Sequence, residues 1–458
     1  MPESISHRVL ENLLEPKMVR RTGFRSASLE ERMKVHRVPG VGVAVINNYE
    51  IAWSAGFGVR EAGTSSPVTT DTLFQACSIS KVATAAGVLR LVQEGLLDLD
   101  EDVNRYLRSW KVPPNGAWQP RITLRQLLSH SAGTTVHGFF GYRRSDQIPN
   151  RLQILEGQWP CSTWPVRVDI LPGVRYRYSG GGITVVEQLM ADVTQQPFPE
   201  LMEELVFRPL GMAHSTFAQP LPERWWDMAA SAHTPGGGVL EGRWNVYPET
   251  AAGGLWTTPS DLARLVVDLQ RARAGRPSKL FTRETALEAL KPNPGGCGLG
   301  FHLDGARFNH GGDNVGFKAV LVGYQDEGLG AVIMTNADEG WHLNNELIRA
   351  IAVEYQWPLD PVRDFPFYPT PESGAVPVPL ALLASYAGEY ETEEGYRFRV
   401  RTEGEGLWIE APGQPLLRLT ALGESSFYSQ ELNLRLNITG EDSFALGLDG
   451  QPFEGKRR

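Results

Sequence analysis

Between Pro358 and Pro379 the chain places seven prolines in 22 positions. No helix interior or central strand tolerates that density, because each ring removes a backbone donor and fixes φ. The segment predicts an extended, semi-rigid connector over residues 358–379. Behind it the pattern changes to short alternating runs, Tyr396–Arg401, Leu407–Ile409 and Leu432–Ile438, set between glycine-rich turns. Period-two alternation gives antiparallel strands with one wet face. Residues 380–458 therefore predict a small all-β domain, a barrel or a sandwich, with Arg397, Arg399 and Arg401 on its solvated face.

Residues 1–357 are mixed. Val41–Ile46 and Ile51–Phe57 read as strands joined at Asn47-Asn48. Strand-like runs return only late, at Gly298–Leu303, Arg307–His310, Gly316–Tyr324 and Leu329–Thr335. Ser78 to Gly95 predicts a helix, with Ile79, Val82, Ala83, Ala86, Leu89 and Val92 at helical spacing and Gly95 as its stop. Asn344–Tyr355 predicts another. Early and late strands imply one sheet assembled from both ends of an α/β domain. A mainly helical insertion fills about 100–240.

Composition narrows the function. With 41% hydrophobic and 21% charged residues the chain can bury a large core. A net charge of -9 argues against a nucleic-acid or anionic-membrane partner. Cys77, Cys161 and Cys297 are too few and too scattered for a disulfide framework. No Cys-x-x-Cys and no histidine pair at ligand spacing appears, so neither a metal nor another cofactor is expected. The polar, charged N-terminus has no secretory pattern, and no stretch of 18 apolar residues occurs. The expectation is a reduced, soluble, cytoplasmic protein.

Chemistry begins with Ser78-Ile79-Ser80-Lys81. Ser78 falls in the first turn of the predicted helix, where free N–H groups favour developing negative charge. Lys81 lies at i+3, within reach of the Ser78 oxygen. A serine needs an adjacent base, and a lysine whose pKa is lowered by burial supplies one. Alone, the pair reads as an ordinary N-cap serine with a surface lysine. Tyr178 precedes the glycine-rich start of a further helix, Gly180-Gly181-Gly182, and alone reads as a core aromatic. His310 stands before Gly311-Gly312 at a strand end, where paired glycines admit a substrate to the edge. The segment Thr135–Tyr142 reads either as a loop over the cleft or as plain packing. Tyr142 and Trp256 are candidate pocket walls, and His130 and Ser131 read as turn structure.

In this order and spacing the three pieces resemble the signature of the serine β-lactamase and penicillin-binding-protein superfamily, in its class C branch with the family VIII carboxylesterases. Flanking runs such as Val38–Val45, Leu127–Gly133 and Gly253–Leu262 belong to the resemblance, which covers about Val38 to Tyr355. It implies an antiparallel sheet flanked by helices with an inserted all-α subdomain, and a lipocalin-like C-terminal β-domain. It implies Ser78 as acylated nucleophile, Lys81 and Tyr178 as base and proton shuttle, and the N–H groups of Ser78 and Asp313 as oxyanion hole. His310 takes the place of the usual third-motif lysine, and Gly180 that of an asparagine. Both departures lower the expectation of β-lactamase or peptidase activity and raise that of small ester or amide hydrolysis. A peptidase, D-aminopeptidase or weak β-lactamase with the same site is the alternative, and a catalytically silent binding protein a further one. The partner is in each case a small ester, amide or peptide, with the oligomeric state open.

Overall fold

The computed structural model describes residues 4–16, 24–358, 376–392, 397–404, 406–410, 417–429, 434–440, 442–448 and 451–458. Most of the proline-rich connector lies outside these residues. The chain divides into two units, Met1–Glu15 with Ser26–Phe365 and Pro16–Arg25 with Pro366–Arg458.

The larger unit is built on a six-stranded sheet. Its strands are β1 (Gly40–Asn47), β2 (Glu50–Gly58), β3 (His302–Asp304), β4 (Arg307–Asn314), β5 (Phe317–Tyr324) and β6 (Gly330–Thr335), in the order β2-β1-β6-β5-β4-β3. The early hairpin meets the late strands through β1 and β6, antiparallel from Gly330 opposite Ile46 to Thr335 opposite Val41. β5 and β6 are buried at every position, so alternation there separates two cores. Ala44, Ile46, Ala319, Leu321, Val332 and Met334 face one apolar cluster. Val41, Val43, Val45, Val320, Val322, Ala331 and Ile333 face the other. Five helices matter most: α1 (Leu29–Val35), α2 (Ser80–Gln93), α3 (Gly180–Thr194), α4 (Pro259–Arg273) and α5 (Gly340–Glu354). α4 lays Leu262, Leu265, Val266 and Leu269 into the first cluster. α5 lays Leu343, Leu347, Ile348 and Ile351 into the second.

Some elements differ in extent from expectation, and α5 begins at Gly340 rather than Asn344. The run Gly298–Leu303 contributes only His302–Asp304 to the sheet, because Gly298 N donates to Phe301 O and folds the preceding residues into a turn. Between 100 and 240 the helices are short, with α3 alone spanning 15 residues and long loops between the others.

The C-terminal unit is a closed barrel of eight antiparallel strands: β7 (Gly388–Thr392), β8 (Arg397–Glu403), β9 (Gly406–Glu410), β10 (Leu417–Ala421), β11 (Ser426–Ser429), β12 (Leu434–Ile438), β13 (Ser443–Leu448) and β14 (Gln451–Arg457). β14 returns to β7 with Arg457 opposite Tyr390, and closure leaves no edge to aggregate. Phe398, Val400, Leu407, Ile409, Phe427, Leu436, Phe444 and Leu446 fill the interior. Arg397, Arg399 and Arg401 point outward, the first two paired with Glu391 and Glu389.

Candidate active site

Ser78 sits in the single 3-10 turn Cys77–Ile79 that leads into α2. The turn is anchored hard. Ala76 N donates to Leu255 O at 2.8 Å, and the Ser80 hydroxyl donates to Cys77 O while accepting from Leu255 N. Cys77 is fully buried with φ of 54°, a left-handed conformation that a side-chain-bearing residue adopts only when its surroundings dictate it. That bend leaves Ser78 half-buried between a core-facing Cys77 and a core-facing Ile79. Its N–H heads the turn, among the leading donors that helices leave without an internal acceptor.

Lys81 follows one turn later, as its spacing predicts. Its Nζ donates to Ser78 Oγ at 3.0 Å and to Ala252 O at 2.7 Å. Only 3% of the residue is exposed, and burial pushes the amine down to about 7. The Ala252 carbonyl is held in place from behind. Ala251 N donates to Glu187 Oε2 on α3, and the Thr84 hydroxyl donates to Ala251 O.

Tyr178 lies with its ring centroid 5.0 Å from Lys81 Nζ. Ser179 caps α3 by accepting from Gly182 N at 2.9 Å, which fixes where the preceding tyrosine leaves the helix. Around the same ring stand four histidines, with centroids at 4.3 Å (His130), 4.9 Å (His137), 6.3 Å (His310) and 6.4 Å (His302). His130 Nδ1 accepts from Ser179 N at 3.2 Å, so its proton sits on Nε2. His310 has the opposite tautomer: its Nδ1 donates to Gly311 O at 2.6 Å. Its Nε2 is buried without a hydrogen-bond partner among the described residues. Burial, then the neighbouring His302 and Lys81, holds the His310 imidazole well below its usual range. It is therefore neutral at pH 7 and presents an acceptor where a lysine would present a charged donor.

β4 carries the third element. β3 pairs only with Arg307–Asn309, which leaves the outer edge of β4 beyond Asn309 open among the described strands. Counting back from the hairpin-closing pair Asn314–Phe317, alternation turns the N–H and C=O of Gly311 and Asp313 away from β5, toward that edge. Asn314 fixes the strand end by donating to Gln75 Oε1 and Gly253 O. Lys318 Nζ donates to Asp313 Oδ1 at 2.7 Å and Asp338 Oδ1 at 2.9 Å. Burial opposes the Lys318 charge, but the two carboxylates outweigh it and hold the amine above its usual range. A Cβ on Gly312 would stand 2.5 Å from Ala76 O and 3.0 Å from Cys77 Cβ. Gly312→Ala is expected to push β4 off the nucleophile turn. Thermal melts should show about 1–3 kcal/mol of destabilisation, with turnover falling further than stability alone explains.

The structure brings Ser78, Lys81, Tyr178, Gly180 and His310 into one neighbourhood. Trp256 is not part of its wall. It is fully buried, its ring edge-on to Trp244 at 5.2 Å and Phe317 at 5.6 Å, so it belongs to the core. Tyr142 is also buried, its hydroxyl accepting from Ser162 N. Sequence reasoning read His130 as turn structure, held His137 only within a segment left open between loop and packing, and did not single out His302, yet all three stand around Tyr178. Among the described residues no group of three or more His, Cys, Asp or Glu could hold a metal ion. None of the described helices is long and apolar enough to cross a membrane.

The beta-lactamase family model matches residues 26–356, and the chain belongs to that family. It is a serine hydrolase of the β-lactamase and penicillin-binding-protein type. Penicillin-binding protein 4* of Bacillus subtilis (strain 168) is 24% identical over 447 residues, 89% of this chain and 92% of that protein. Esterase EstB of Burkholderia gladioli is 27% identical over 208 residues, 43% of this chain and 52% of the esterase. The D-alanine carboxypeptidase AmpC from Burkholderia cenocepacia shares the fold with a TM-score of 0.58 at 20% identity, over 78% of this chain and 99% of that one.

Proposed function

We propose that the protein hydrolyses small, uncharged esters or amides through an acyl-enzyme on Ser78. The observation that carries this is the Lys81 amine, buried and 3.0 Å from Ser78 Oγ. With a pKa lowered to about 7, about half of it is neutral at pH 7 and able to take the hydroxyl proton. Ser78 Oγ attacks the substrate carbonyl carbon as its proton passes to neutral Lys81, with Tyr178 beside it as the shuttle. The tetrahedral oxyanion accepts from Ser78 N and Asp313 N, a contribution of about 3–4 kcal/mol per donor. Collapse breaks the bond to the leaving oxygen or nitrogen, which takes the proton back. Water then attacks the Ser78 ester and gives its proton to the same base; the acyl–Oγ bond breaks, Ser78 Oγ takes that proton back, and the acid product departs.

Neutral His310 and side-chain-free Gly180 favour an uncharged substrate over one bearing a carboxylate. The relative named as an esterase supports the same reading. Intact-mass measurement after treatment with a p-nitrophenyl alkylphosphonate tests the nucleophile, with one adduct expected on Ser78. A protein that stays unmodified would be a binding module. Among p-nitrophenyl butyrate, a D-amino-acid amide and a chromogenic cephalosporin, the butyrate is expected to turn over fastest. Preference for the cephalosporin would overturn the substrate class.

A further inference from the structure

The first turn of α3 is built against residues 136–139. Gly180 N donates to His137 O at 2.8 Å and Gly181 N to Val136 O at 3.0 Å. A Cβ on Gly180 would stand 2.8 Å from Phe139 Cε2 and 3.1 Å from the His137 carbonyl oxygen. The space into which the motif's asparagine would send its amide is thus occupied by the edge of an aromatic ring. Phe139 is half-buried and packs against the main apolar cluster, so the ring is backed by the core. His137, two residues earlier in the same segment, has its ring centroid 4.9 Å from that of Tyr178, which brings the segment up to the tyrosine.

We infer that Phe139 walls an acyl subsite next to Ser78 and Tyr178 that selects apolar acyl groups, short alkyl or aromatic, over amide-bearing ones. The inference rests on the hydrolase reading above and deepens it by naming the acyl class. An amide carbonyl in this place meets ring carbon and stays unpaired, whereas a methylene exchanges water for a ring edge. The glycine and the phenylalanine act as one unit: a side chain at 180 requires the ring at 139 to shift. Placing an asparagine at 180 alone is therefore not enough to build a polar subsite.

The experiment uses the full chain as wild type, Phe139→Ala, Gly180→Asn and the double variant. The ratio of kcat/KM for p-nitrophenyl butyrate to that for the acetate is expected to fall about tenfold in Phe139→Ala, the effect of two methylenes losing their apolar contact. In thermal melts Gly180→Asn is expected to lower Tm by several degrees, and the double variant to lose less than the sum. An unmoved butyrate-to-acetate ratio, or additive Tm losses, would overturn the inference. Butylboronic acid, which bonds a serine oxygen without turnover, separates the two readings. If the wild type hydrolyses neither ester, weaker boronate binding in Phe139→Ala keeps the subsite and removes the esterase. Equal binding removes the subsite itself.

Discussion

Ser78→Ala is expected to reduce hydrolysis of short p-nitrophenyl acyl esters by about four orders of magnitude, because a nucleophile acting as a unit with its base leaves little behind when removed. The residual rate would come from binding and from the N–H groups of Ser78 and Asp313, which alanine leaves in place. Stability should hardly change. The substitution removes one half-buried hydroxyl and one hydrogen bond from Lys81, whose amine keeps the Ala252 carbonyl. A net loss of about 1 kcal/mol shifts Tm by roughly 2–4 °C. Ser80→Ala is the informative neighbour. Its hydroxyl bridges Cys77 O and Leu255 N, so its removal should loosen the turn and lower Tm more than Ser78→Ala does. Turnover of Ser78→Ala within tenfold of wild type would remove Ser78 from the reaction.

What could be read beforehand follows from the range of each interaction. The Ser78–Lys81 contact is local, one helical turn, and the sequence spacing is its geometry. β1, β5 and β6 are long apolar runs whose strand character survives any context. The histidines around Tyr178 are another matter. His130, His137, His302 and His310 come from two loops and two strands, and no linear spacing connects them. Trp256 fails as a pocket wall for a related reason: Trp244 and Phe317, far apart in the chain, close over it. The Gly180–Phe139 pairing is equally non-local: the missing asparagine is visible in the motif, whereas the ring that takes its space is 41 residues earlier.

Lys81→Met is expected to cut ester hydrolysis by about three orders of magnitude, the middle of the range for loss of a general base, and at neutral pH to raise stability. The two effects have one cause. The amine has a pKa of about 7 in the folded protein, against 10.5 as the ordinary value for lysine. Between these values the unfolded chain binds more protons than the folded one, so the wild type gains stability as pH rises from about 7 toward 10. Below 7 the ammonium is charged in both states and its burial is fully unfavourable, on the order of 4 kcal/mol. Methionine removes that term. It also leaves the Ala252 carbonyl without its donor, which offsets about 1–3 kcal/mol. The variant should therefore melt a few degrees above wild type at pH 7, with the gap closing by about pH 10. Wild-type kcat/KM should rise with pH through about 7 and level off as Lys81 becomes neutral. A gap that stays constant from pH 7 to 10 would mean that the buried amine keeps its ordinary pKa. The proton would then leave Ser78 through Tyr178, because an ammonium 3.0 Å from Oγ donates to that oxygen and cannot take its proton.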